Sequence, residues 1–273
     1  MTNTSLPRPL FHRLLLTGAA GGLGAELRQR LPSYTQVLRL SDRAELGTAQ
    51  PHEEICLAEL QDKEAVLSLL KDVDAVIHLG GISTEQPFDL ILQANIVGAY
   101  NLYEAARKQG IKRVVFASSN HVTGFYKQNE VVHTQSALRP DCLYGVSKAF
   151  GENLAQFYYD RYGIETVSIR IGSSFPKPRD RRMLATWLSY DDLEQLLIRA
   201  LTTPCVGHTI IYGVSDNAIR WWDNRHASHL GYKPKDSSDL FEAEVQAQHS
   251  LAEPDDPAAL FQGGAFVRTG PFD

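Results

Sequence analysis

The stretch Gly18-Ala19-Ala20-Gly21-Gly22-Leu23-Gly24 constrains this chain more than any other. It is entered from the apolar run Leu14-Leu15-Leu16-Thr17 and left through Ala25-Glu26-Leu27-Arg28-Gln29-Arg30-Leu31, which has helical periodicity. A buried strand, a glycine turn and a helix start bring backbone N–H groups against a pyrophosphate. At this G-x-x-G-x-x-G spacing Gly18 allows the tight turn and Gly21 lets the main chain approach phosphates without an intervening Cβ. Gly24 lets the helix pack close to the strand, while Gly22 and Leu23 complete the turn. The ligand this implies is a dinucleotide, against the alternative of a purely structural turn.

A second strand, Gln36 to Ser41, ends at Asp42, 18 positions beyond Gly24. A carboxylate there can accept both hydroxyls of an adenosine ribose and would repel a 2′-phosphate, so it favours NAD over NADP. Arg43 beside it could instead receive that phosphate, and Asp42 could be a plain turn cap. Further along, Ile55-Cys56-Leu57 is a weak third strand, followed by Glu59-Leu60, and Lys63 to Leu70 has helical spacing. Ala75 to Leu79 is a fourth strand that runs into Gly80-Gly81, where glycines suggest backbone near a ligand. His78 within it reads as a packed core histidine. Pro87 to Gln109 reads as one long helix stopped by Gly110. Asn95 in its middle either faces solvent or uses its amide inside.

Arg113 to Ser119 is the fifth strand. A polar loop of unusual length follows, then a helix from Tyr144 to Tyr162 and a sixth strand from Thr166 to Ile171. Alternation of strand and helix implies an α/β fold with a doubly wound parallel sheet. The organisation changes after Gly172, with the loop Pro176-Lys177-Pro178-Arg179-Asp180-Arg181-Arg182. We therefore expect residues 1–172 to form the dinucleotide-binding domain and 173–273 to be mainly a small C-terminal substrate-binding lobe and tail. A helix spans Asp191 to Leu201, and a late strand near 208–212 is a candidate to return to the sheet. The segment Glu253-Pro254-Asp255-Asp256-Pro257 reads as a linker or a partly ordered arm.

The formal net charge of −5 argues against a nucleic-acid or anionic-membrane surface. Three scattered cysteines, Cys56, Cys142 and Cys205, form no metal-ligand pattern and read as reduced thiols. No metal is expected. The first dozen residues, with Pro7 and Pro9, lack the apolar core of a secretion signal, and no apolar run approaches a membrane span, so a cytoplasmic location is expected.

Tyr144 and Lys148, four apart at a helix start, share one face. A phenol is a poor base at neutral pH, since its reference pKa is near ~10. A neighbouring ammonium and the cationic ring of an oxidised nicotinamide both favour the phenolate, which makes a usable base for an alcohol proton. Such a pair is common on surface helices. Ser119, ending the strand expected beside this helix, adds a hydroxyl able to hold a reacting oxygen.

Taken together, the Gly18–Gly24 turn, Asp42, Gly80-Gly81, Ser119, Tyr144 and Lys148 resemble the extended short-chain dehydrogenase/reductase superfamily. The resemblance implies a Rossmann fold, NAD, and Ser119, Tyr144 and Lys148 as the catalytic set. It also implies that Lys148 binds the nicotinamide ribose and that Asn95 steadies Lys148. Within that superfamily the chain resembles the uronate dehydrogenases. The segments carrying this likeness are His78 to Ser83, Ala117 to His121, Leu143 to Lys148, Arg170 to Ser173, Arg182 to Trp187 and Gly231 to Asp236.

That family oxidises the C1 hydroxyl of a cyclic hexuronate, D-glucuronate or D-galacturonate, to the aldarolactone. The resemblance implies Ser83, Ser119, Asn120, His121, Tyr144 and Ser173 as sugar contacts and Arg182 as partner of the substrate carboxylate. Leu60, Leu79, Gly80 and Gly81 are implied around the cofactor, with Glu59 standing where the family has an adenine-contacting aspartate. A guanidinium is the natural bidentate partner of a carboxylate. Arg179 and Arg181 read as solvated loop charges. His121 is either a hydrogen-bonding partner of the sugar or a structural histidine. A homo-oligomer, dimer or higher, is the superfamily default. Two alternatives share the fold: an NAD-dependent nucleotide-sugar epimerase or dehydratase, and a non-catalytic NAD(P)-binding sensor.

Overall fold

The structure, a computed structural model, describes residues 9–250, 253, 255–270 and 272. In chain order its elements are β1 (Phe11–Thr17), α1 (Gly22–Arg30), β2 (Thr35–Ser41), β3 (Glu53–Ile55), α2 (Lys63–Leu69), β4 (Ala75–His78) and α3 (Phe88–Ile91). A π-helical turn (Leu92–Val97) leads into α4 (Gly98–Gln109), followed by β5 (Arg113–Ser119), β6 (Val132–His133), α5 (Leu143–Tyr162), β7 (Glu165–Ile171) and β8 (Ser173–Ser174). Then come α6 (Met183–Thr186), β9 (Trp187–Leu188), α7 (Tyr190–Thr202), β10 (His208–Gly213), β11 (Trp222–Asp223), α8 (Glu242–Gln248) and α9 (Pro257–Leu260).

Seven parallel strands form the central sheet in the order β10-β7-β5-β4-β1-β2-β3. The strands are apolar on both faces because both are covered. Leu14, Leu16 and Ile77 pack with Leu27 of α1 and Leu193, Leu196 and Leu197 of α7. Leu15, Val76 and Val114 point the other way, onto Val66 of α2, Leu102 and Tyr103 of α4 and Tyr158 of α5. The chain winds outward from β1 in one direction and from β4 in the other. The crevice between their C-terminal ends is where such sheets bind ligands.

Two expectations shift. The third strand is Glu53–Ile55 rather than Ile55 to Leu57, because the edge strand is fixed by charge as much as by burial. Glu53 pairs with Arg28 at 2.7 Å, and Glu54 with Arg13 at 3.0 Å and Arg39 at 2.7 Å. The helix expected from Pro87 to Gln109 is continuous but widened by the π turn that carries Asn95. The late strand pairs with β7 as the sheet edge. Of the segment Glu253 to Pro257, Pro254 lies outside the described residues; Pro257 starts α9, which Asp256 caps. No helix among the described residues is long and apolar enough to cross a membrane.

Candidate active site

The glycine turn leaves β1 with Gly18 in the left-handed region, at φ +72°. A Cβ on Gly18 would lie 2.7 Å from the Leu79 carbonyl carbon, so the turn after β1 is pressed against the one after β4. A Cβ on Gly24 would fall 2.1 Å from the Gly18 oxygen, which only a glycine permits. Gly21 is the N-cap of α1, so no side chain answers the helix's first N–H groups, and a Cβ on Gly22 would meet nothing within 4 Å. Open N–H groups and open space in front of them fit a pyrophosphate.

Asp42 ties the end of β2 to this turn, accepting from Ala20 N at 3.0 Å and Ala44 N at 3.1 Å. The turn-cap role is therefore present, and it leaves carboxylate lone pairs for a ribose. Leu60 packs over Gly80 and Gly98, while Glu59 is exposed beyond β3. Thr17 Oγ1 is hydrogen-bonded to His78 Nδ1 at 2.7 Å and accepts from Gly80 N at 3.1 Å, which fixes the turn after β4. Burial holds the His78 pKa down at about 3, with Lys148 adding to the effect. His78 is a neutral core histidine.

Asn95 is buried, and its amide works inside. It accepts from Ile82 N at 2.7 Å and donates to the Ile82 carbonyl at 2.9 Å and to Ser147 Oγ at 2.8 Å. The π turn is what aims this side chain. Its direct partners are therefore the β4–α3 loop and the residue before Lys148. Ser83, on that same loop, is exposed.

Helix α5 carries Tyr144 and Lys148 into the crevice, with the Lys148 ammonium over the Tyr144 ring at 5.7 Å and the Phe116 ring at 5.2 Å. Burial alone pulls Lys148 down to about 8. Burial pushes Tyr144 up to about 12, although a hydrogen bond with Ser119 opposes this; Cys142 and Asp141 add to the rise. In the protein alone desolvation sets the direction of the Tyr144 shift, upward and against the lowering expected from Lys148 and a bound nicotinamide.

Ser119 ends β5 and accepts from His121 N at 3.2 Å. His121 donates Nδ1–H to Asp141 at 2.8 Å, stacks on Phe266 at 3.8 Å and meets the Tyr144 ring edge at 5.9 Å. Burial lowers its pKa against the raising effect of Asp141. Asp141 also accepts from Cys142 Sγ at 3.0 Å, so these three groups form a hydrogen-bonded triad at the start of α5. Burial drives the Cys142 thiol well above its usual range.

Arg182 gathers the far side of the site. Its Nη1 donates to Ser173 Oγ at 3.3 Å and its Nε to the Gln262 carbonyl at 2.6 Å. With the Asn120 amide oriented to suit its neighbours, Asn120 donates to the Ile171 carbonyl at 3.0 Å and accepts from Arg182 Nη2 at 2.7 Å. Among the described residues no carboxylate forms an ion pair with this half-buried guanidinium; desolvation lowers its pKa, against the raising effect of the more distant Asp180 and Asp141. Arg179 instead lies over the Phe175 ring, and Arg181 donates to the His249 and Gln246 carbonyls. Arg181 is thus a tether rather than a solvated charge.

Four residues with a place here were not singled out from sequence. Glu85 is buried and accepts from Tyr144 N at 2.8 Å. Asp141 orients His121, and Phe266 and Gln262 bring the C-terminal segment over the site. No local spacing marks any of them.

A parallel sheet with an open glycine turn at the β1–β4 crevice, and Ser, Tyr and Lys at the adjoining strand end and helix, is the arrangement of an extended short-chain dehydrogenase/reductase. Residues 14–192 match the NAD dependent epimerase/dehydratase family. The chain is 62% identical to a uronate dehydrogenase of Pseudomonas syringae pv. tomato, over 96% of this chain and 95% of that one. It is 61% identical to a uronate dehydrogenase of Pseudomonas putida, over 96% and 98%. A mutant uronate dehydrogenase from Agrobacterium tumefaciens, solved in complex with NAD, superposes with a TM-score of 0.94 at 47% identity, covering 96% of this chain and 99% of that one. The chain belongs to the NAD dependent epimerase/dehydratase family and, within it, to the uronate dehydrogenases.

Proposed function

We propose that this protein oxidises the C1 hydroxyl of a cyclic hexuronate, D-glucuronate or D-galacturonate, to the aldarolactone, with NAD as cofactor. The observation that carries this is Arg182, a half-buried guanidinium without a carboxylate partner among the described residues, held beside Asn120 and Ser173. Such a cation is poorly solvated and calls for an anion. A uronate brings one; a neutral sugar does not.

The glycine turn, Asp42, Leu60, Leu79, Gly80 and Gly81 are the chain's own cofactor surface, and Glu59 stands at its adenine end. NAD bound there supplies the acceptor for the C1 hydrogen and places a cationic ring near Tyr144. Lys148 holds the nicotinamide ribose and keeps positive charge beside Tyr144. Together these charges offset the burial that holds the phenol up. Tyr144 then takes the C1 hydroxyl proton as phenolate. Ser119 holds the C1 oxygen. Ser83, Asn120, His121 and Ser173 bind the sugar hydroxyls. With Nδ1–H given to Asp141, neutral His121 offers Nε2 as an acceptor. Asn95 positions Lys148 through Ser147 and the β4–α3 loop.

We read the protein as a cytoplasmic homo-oligomer. Exposed apolar side chains on α4 and α5, Tyr100, Val146, Phe150 and Phe157, support a helix-mediated interface. Arg182→Ala tests the substrate assignment. It should raise the hexuronate KM strongly and leave NAD binding intact. An unchanged KM would remove Arg182 from carboxylate recognition.

A further inference from the structure

Arg182 is aimed by a main-chain carbonyl 80 positions away, that of Gln262. Gln262 lies in the C-terminal segment between α9 and the turn Gly264–Arg268, and it is 1% exposed. Every polar atom of its side chain is used. Nε2 donates to the carbonyls of Lys127 at 3.0 Å and Glu130 at 2.8 Å, and Oε1 accepts from Trp222 Nε1 at 2.9 Å. Its own N–H goes to the Tyr126 carbonyl at 2.8 Å. The only group of Gln262 turned toward the site is its carbonyl oxygen, 2.6 Å from Arg182 Nε.

The neighbouring backbone is shaped to the arginine as well. Gly264 sits at φ +63°, and a Cβ there would lie 2.5 Å from Arg182 Cδ. The segment is pressed along the arginine stem, and the carbonyl takes the Nε–H. With Nε engaged, both terminal nitrogens face Ser173 and Asn120. A guanidinium so held presents its planar fork in one orientation, which bidentate carboxylate recognition needs. Trp222 stacks on Tyr212 at 4.9 Å, and Tyr212 bonds Thr123 at 3.0 Å and Arg170 at 3.1 Å. The anchor therefore reaches the turn that carries Asn120, since Thr123 donates to the Asn120 carbonyl at 3.2 Å.

We infer that Gln262 is a positioning residue for substrate selection. Its buried amide fixes the C-terminal segment so that its carbonyl aims Arg182 at the hexuronate carboxylate. This rests on the proposal that Arg182 binds that carboxylate.

The test is a double-mutant cycle on the full chain with NAD and D-glucuronate. Gln262→Leu keeps the bulk and removes the three side-chain hydrogen bonds. In the native background it should raise the glucuronate KM about tenfold with kcat little changed. In the Arg182→Ala background the same substitution should change KM by less than about twofold, because its effect passes through Arg182. The NAD KM should not move in either. Should Gln262→Leu fail to fold, Trp222→Phe removes one of the three bonds and keeps a smaller aromatic ring against Tyr212. It should give a smaller KM rise with the same dependence on Arg182.

Equal KM increases in both backgrounds would make the residue merely structural and overturn the inference, as would no increase in the native background. A null effect of Arg182→Ala alone would instead overturn the carboxylate assignment itself.

Discussion

The Lys148 ammonium stands 5.7 Å from the centre of the Tyr144 ring, one turn along α5, and the two groups are displaced in opposite directions by the same burial. The phenol is pushed up to about 12 and the ammonium down to about 8. At neutral pH the same burial therefore leaves the phenol protonated, while the ammonium still carries most of its charge. In the proposed reaction the phenol becomes a base only when bound NAD adds its charge beside it.

Tyr144→Phe removes the phenol oxygen and leaves the ring that meets His121 and Phe266. NADH formation should fall by about 10²–10⁴-fold, the usual worth of a general base, with NAD affinity unchanged. Stopped-flow absorbance and NAD titration together check this. Near-native turnover would take the proton-transfer role from Tyr144.

Lys148→Met should separate stability from function. The folded pKa of about 8 lies below the ordinary lysine value, so the native state holds this proton less tightly than the unfolded chain. Stability from this group rises with pH between about 8 and 10.4, and the penalty is fully present below pH 8. Removing the amine should therefore stabilise the cofactor-free protein at pH 7 by up to about 3 kcal/mol, with the gain vanishing near pH 10.4. Urea melts across pH measure it. Turnover should collapse in the same variant.

His78 sets an acid limit. Its folded pKa of about 3 lies below the ordinary histidine value, so only the unfolded chain takes up this proton as pH falls. Between pH 6.5 and 3 the group should cost about 1.4 kcal/mol of stability per pH unit. His78→Asn should flatten that limb of the stability–pH curve, whatever it does to stability at pH 8. An unchanged slope would mean that His78 titrates in the native state.

Asp42→Asn removes the charge and keeps an acceptor for only one of Ala20 N and Ala44 N, since the two bond different carboxylate oxygens. The ratio of kcat/KM for NAD to that for NADP should drop by about tenfold or more, since a 2′-phosphate no longer meets a carboxylate. A constant ratio would assign Asp42 to the turn alone.

The parts of the site that depend on local spacing were legible in the sequence. The Gly18–Gly24 turn and the Tyr144–Lys148 pair are dictated by the geometry of one strand-to-helix turn and one helical turn, so their neighbours reveal them. What could not be read joins distant segments. Glu85 reaches Tyr144 N across 59 positions, and Gln262 reaches Arg182 across 80. Neither bond leaves a periodicity. Asn95 was ambiguous because a polar residue in mid-helix can face either way, and only the π turn decides. The third strand was displaced because Glu53 and Glu54 pair with arginines, which hides an edge strand from a search for apolar runs.

The central claim is a carboxylate-dependent oxidation of a free sugar. Its most direct test is NADH absorbance with purified protein, NAD and, in turn, D-glucuronate, D-galacturonate, D-glucose and UDP-glucose. NADH should form rapidly with the hexuronates and far more slowly, or not at all, with glucose and UDP-glucose. NADH formed equally from glucose, or a UDP-sugar converted without net NADH while the hexuronates stay inert, would contradict it.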